Sequence, residues 1–129
     1  MTQIKIYGLA ETLDPIRNSV SDTIHSCLVD FFKLPADKRF HRFIRLQRED
    51  FMFPADRAMN YLIVEISCFE GRAAATKKGL IRALFERIER NCGIRPHDLE
   101  ITITETPRWN WGIRGCTGDE LSIAYPVGV

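Results

Sequence analysis

A chain of 129 residues with net charge +1 suits one domain with a sizeable core and is too short for two. Its 45% apolar and 27% charged residues exclude a disordered segment, and the near-zero charge excludes a global field that would draw nucleic acid or an anionic membrane. No apolar run approaches the roughly 20 residues needed to cross a bilayer, and Met1-Thr2-Gln3-Ile4-Lys5 lacks the layout of a signal peptide; the expectation is a cytoplasmic protein with no membrane partner.

Taken in chain order, Gln3-Ile4-Lys5-Ile6-Tyr7 alternates polar and apolar residues and predicts a strand. Asp14-Pro15 then offers a side-chain N-cap and a residue favoured at the first helical position. Ile16, Val20, Ile24, Cys27, Leu28 and Phe31 recur at helical spacing, and the pattern stops at Lys33-Leu34-Pro35. A second strand is predicted from Phe40 to Gln47, rich in aromatic and branched residues.

That strand lies in a basic run from Lys38 to Arg48. Strand alternation puts Arg42, Ile44 and Leu46 on one face and His41, Phe43 and Arg45 on the other. Neither face is purely basic, so nucleic acid is not an expected partner. The joining segment from Glu49 to Arg57 carries Phe51, Met52 and Phe53. Three large apolar residues in a linker predict a buried junction.

A second passage repeats the first. Tyr61 to Phe69 reads as an apolar strand, and Ala73 to Asn91 as a helix with Ile81, Leu84, Phe85 and Ile88 on one stripe. Gly93 is placed as its left-handed cap and Leu99 to Thr104 as the closing strand. An offset of 61 relates Pro35 to Pro96, Asp37 to Asp98, Val20 to Ile81 and Cys27 to Ile88. The expected architecture is α/β: two tandem β-α-β units, about 1–58 and 59–129 of a single domain, forming a four-stranded mixed sheet with two helices on one face. The other sheet face, left bare, predicts a closed homo-oligomer.

Cys27, Cys68, Cys92 and Cys116 include no C-x-x-C pair and no histidine at ligand spacing, so free thiols and no metal or cofactor are expected. His25, His41 and His97 are scattered and read as structural. Trp109 and Trp111 stand two apart on an extended piece, where one ring faces a pocket while the other fills core. Arg114 sits among Gly112, Gly115 and Gly118 without the lysine and spacing of a phosphate loop. It is placed to bind an anion or to pair with Asp119 or Glu120.

Several short tracts carry a resemblance: Phe69-Glu70-Gly71-Arg72 with Lys77 five residues on, Cys92-Gly93-Ile94, the turns Leu34-Pro35-Ala36 and Pro96-x-Asp98-Leu99, and Trp109-Asn110-Trp111-Gly112. In this order and spacing they resemble the tautomerase superfamily, with its malonate semialdehyde decarboxylase branch as the nearest likeness. The resemblance implies a homotrimer and proton transfer on small keto, enol or semialdehyde acids by an N-terminal proline. Here Thr2 stands in the proline's place, Ala74 replaces the second of two arginines before the second helix, and Lys38 replaces an aspartate, with Asp37 one position earlier.

The resemblance makes a small anionic organic acid the expected substrate and tautomerisation, or a related decarboxylation or hydration, the expected reaction. Thr2 is the expected base once Met1 is removed, because an α-amino group titrates near 8. Arg72 and Arg114 would bind the carboxylate, and Trp109 and Trp111 would wall the pocket. The alternative is a trimeric module that keeps the fold without catalysis.

Overall fold

The computed structural model describes residues 2–121 and 126–129. The first strand, β1 (Thr2–Leu9), runs directly into α1 (Ala10–Leu13), a 3-10 turn (Asp14–Ile16) and α2 (Arg17–Phe32). Asp14 is therefore not the N-cap that the sequence suggests. Fully buried Leu13 draws the preceding turn into the helix, and Pro15, with no N–H to donate, only tightens it to 3-10 geometry. Asp14 instead accepts two hydrogen bonds from Arg45, at 2.6 and 2.7 Å. Lys33, left-handed at φ 57°, ends α2.

β2 (His41–Leu46), β3 (Leu62–Phe69), α3 (Ala74–Cys92) and β4 (Leu99–Thr106) follow, with a small hairpin of β5 (Gly112–Ile113) and β6 (Cys116–Thr117). Gly93, at φ 73°, caps α3 as predicted. The sheet order is β2-β1-β3-β4, parallel within each outer pair and antiparallel between β1 and β3. Each parallel pair needs a crossover, which α2 and α3 supply. Both helices pack on one face, where Ile4, Ile6, Val64 and Ile66 meet Ile24, Leu28, Leu84 and Ile88. The helices approach closely at Gly79, where an added Cβ would lie 2.8 Å from the Phe31 ring.

Burial corrects the repeat register. Val20 and Leu80, Ile24 and Leu84, Leu28 and Ile88 and the αL residues Lys33 and Gly93 are each 60 apart and occupy equivalent places. The offset of 61 holds only in the turn containing Pro35 and Pro96, where Arg95 is an extra residue. Ile81 and Phe85 are accordingly half-buried at the edge of the α3 stripe.

The other sheet face is more polar than the bare-sheet argument supposes. Lys5 stands between Arg42 and Glu65, while Glu100, Thr102 and Thr104 project from β4. Its apolar members include Tyr7, Ile44 and Ile63. In the linker, Phe51 and Phe53 cluster with Tyr61 at ring separations of 5.0 to 5.8 Å. Met52 does not join them: it is 90% exposed, since an extended backbone turns alternate side chains outward.

Candidate functional site

The helix-facing side of the sheet is built in cross-strand rows. One row is Ile101, Val64, Ile6 and Phe43, and the next is Ile103, Ile66, Ile4 and His41. At the start of β1 the chemistry changes: the next row is Glu105 on β4, Cys68 on β3 and Thr2 on β1. Thr2 is 4% exposed, and its Oγ1 is buried with no hydrogen-bond partner among the described residues. Glu105 Oε1 accepts a 2.6 Å hydrogen bond from Lys77 Nζ on α3, while its Oε2 is buried and has no such partner.

Arg72 closes the row from above. Gly71, at φ 126°, turns the chain between β3 and α3 in a conformation that L side chains rarely adopt. Arg72 is thereby carried inward to 4% exposure. Its Nη1 donates to the Phe69 carbonyl at 3.3 Å, and its guanidinium carbon lies 4.0 Å from the centre of the Phe32 ring. Burial pushes the Cys68 thiol up in pKa; Arg72 and Lys77 oppose this and Glu105 reinforces it. A thiol held protonated among fixed charges is a core group, not a nucleophile.

The remaining predicted residues stand elsewhere. Trp111 packs edge-on against Phe69, with 5.2 Å between ring centres, and donates from Nε1 to Thr106 Oγ1. Phe69 alternates with Cys68, so this contact lies on the opposite sheet face from Arg72. Trp109 is 65% exposed. Arg114, at φ 50° in the turn between β5 and β6, lines an open cleft of about 410 Å³ with Gln3, Phe40 and Ile113. Thr2 and Arg72 thus both border Cys68, while Trp111 and Arg114 occupy the other side of the same sheet end.

Asp37 and Lys38 lie in an exposed turn, and Ala74 is exposed at the start of α3. Whether Met1 is removed falls on a residue outside the described ones. The final residues return to this end of the molecule: Thr76 Oγ1 donates to the Val129 carbonyl at 2.6 Å, and Val127 packs over Gly71.

Sequence reasoning missed Glu105 and treated Cys68 as ordinary core. The signal for Glu105 was available, because extending the alternation of Ile101 and Ile103 by two residues puts it on the same face. Its apposition to Lys77 on α3 had no such signal. The histidines take structural places. His25 donates from Nε2 to the Ala36 carbonyl at 2.8 Å, and His41 Nδ1 shares a 2.8 Å hydrogen bond with Ser21.

One buried cation, Arg72, and a half-buried ion pair, Lys77 with Glu105, at a strand terminus in an otherwise apolar interior suit the holding of a small anion, because Coulomb terms grow as water is excluded. Among the described residues no group of three or more histidine, cysteine or acidic side chains gathers at metal-binding distance. No helix among them is long and apolar enough to cross a membrane.

The sequence model of a family described as tautomerase enzyme matches residues 38–114. The chain is 27% identical over 95 residues to a probable tautomerase of Bacillus subtilis, YrdN, covering 70% of this chain and 73% of that one. Its fold is similar to that of a malonate semialdehyde decarboxylase inhibited by 3-bromopropiolate, with TM-score 0.80, 24% identity and coverage of 94% and 98%. It is also similar to a fused 4-OT described as a symmetric trimer, with TM-score 0.78, 14% identity and coverage of 91% and 96%.

Proposed function

The chain belongs to the tautomerase enzyme family, and we propose that it catalyses proton transfer on a small carboxylate-bearing substrate, with the amine of Thr2 as base after loss of Met1. The observation that carries this reading is the polar row at the start of β1, where Thr2 and Arg72 both border Cys68 in a core that is otherwise apolar. A primary amine near its pKa can take a proton from a carbon next to a carbonyl and return it elsewhere. Arg72 supplies a permanently charged, desolvated fork that suits a carboxylate. Trp111 and Arg114 stand on the other side of this sheet end, and they and the exposed Trp109 serve the substrate through a neighbouring subunit in a homotrimer. The symmetric trimer formed by the fused 4-OT supports that assembly, as does the uncovered sheet face.

The experiment is ketonisation of phenylenolpyruvate by purified protein, followed by absorbance, together with Arg72→Ala. Acceleration that falls in the variant supports the reading. No rate above buffer, or equal rates in both proteins, removes it.

A further inference from the structure

We infer that Glu105, held by Lys77, is a positioning residue that orients and charges the Thr2 amine; this rests on the reading of Thr2 given above. A carboxylate on the core-facing side of a strand is costly unless every oxygen finds a partner. Lys77 satisfies Oε1 alone, at 2.6 Å, and leaves Oε2 buried and open among the described residues. The neighbouring positions on this side of β4 are Ile103 and Ile101, so Glu105 stands where the apolar side of the strand ends, with its Oε2 turned into the buried space.

The same row holds a second orphan, the buried hydroxyl of Thr2. Two strand spacings of about 4.8 Å separate Thr2 from Glu105, and Cys68 stands between them with a small side chain that leaves the space over the row to longer groups. A protonated amine on Thr2 is the donor that an open carboxylate oxygen lacks. The charged and titratable groups facing this space are Cys68 from β3, Glu105 from β4, Arg72 from the turn before α3 and Lys77 from α3 itself, with His41 one row further along β2. Glu105 favours the ammonium form, whereas Arg72 and Lys77 oppose it. Glu105 and Lys77 therefore act on the amine with opposite sign.

The test uses the full chain, released from a cleavable fusion so that Thr2 is its first residue. The acetylation rate of the Thr2 amine by trace acetic anhydride is followed by mass spectrometry of the N-terminal peptide, from about pH 5 to pH 10. Glu105→Gln should move the midpoint down by about 1 pH unit and Lys77→Met should move it up, with Glu105→Asp returning it toward the parent value. Thermal unfolding of each variant shows that it is folded. Midpoints that stay fixed, or move the same way in both variants, overturn the role of Glu105 while leaving Thr2 as base. Opposed shifts in a protein that ketonises nothing overturn the catalytic reading, and the role of Glu105 in catalysis with it.

Discussion

Arg72 sits over the ring of Phe32, its guanidinium carbon 4.0 Å from the ring centre, where the end of α2 meets the entry to α3. This contact fixes a charge inside the core that an ammonium on a flexible stem would not hold in the same way. Arg72→Lys should lower kcat/KM for an enol acid at least about tenfold through loss of two-point contact, and should cost about 1 kcal/mol of stability from the lost stacking. Steady-state kinetics and urea unfolding read the two effects separately.

Thr2→Pro tests the nature of the base. Proline fits the first residue of a strand because no ladder N–H is demanded there, and it gives the secondary amine that the resemblance assigns to this place. Ketonisation of phenylenolpyruvate by Thr2→Pro, with Met1 removed, should exceed that of the parent by about tenfold or more. A rate at or below the parent's would count against an amine at this position.

His41 predicts an acid-sensitive step in stability. Burial first, then Arg39 and His25, holds its pKa down at about 4 against an ordinary 6.5, while Asp22 pulls the other way. The folded state thus keeps the imidazole neutral, and the unfolded chain takes up a proton first. Stability is full above about pH 6.5 and falls as the pH drops toward 4, by about 2 kcal/mol once partial exposure is allowed for. His41→Gln, which can keep the bond to Ser21, should flatten the melting temperature across this window.

Asp98 governs a lower window. It is 1% exposed, accepts the Ala58 N–H at 2.8 Å and pairs with Arg95 at 3.1 Å. The Ala58 hydrogen bond, followed by Arg95, holds its carboxyl below the ordinary range against the opposing effect of burial. Its contribution is present above the ordinary carboxylate pKa of about 4 and is lost as the pH falls through the lower folded value. Asp98→Asn should cost about 1–3 kcal/mol near neutral pH and flatten only the acid limb below the His41 window, both read from denaturant titrations at several pH values.

The two-period strands and helical stripes were legible because burial writes them into the sequence: Ile4 and Ile6, Val64 and Ile66, and Val20, Ile24, Cys27 and Leu28 of α2 are all core, with Ile16 and Phe31 packed at its edge. What failed turned on competition between partners distant in sequence. Asp14 had a local role to offer and was taken instead by Arg45, 31 residues on. The repeat phase was read from paired prolines, and the helices follow burial, one residue away. Thr2 and Arg72 were named through resemblance and each neighbours Cys68, but Glu105 owes its place to Lys77, an ion pair that no periodicity announces. Trp109, expected in a pocket wall, is largely exposed in the single chain, so any wall it forms is made with a neighbouring subunit.

In the proposed reaction the amine of Thr2 moves the proton. Two preparations of the same chain decide it, one released from a fusion so that Thr2 is first and one in which Met1 is confirmed by intact mass, both assayed for phenylenolpyruvate ketonisation at equal concentration. Proton transfer by the Thr2 amine requires turnover in the first and none above buffer in the second; equal rates in the two mean that another group moves the proton.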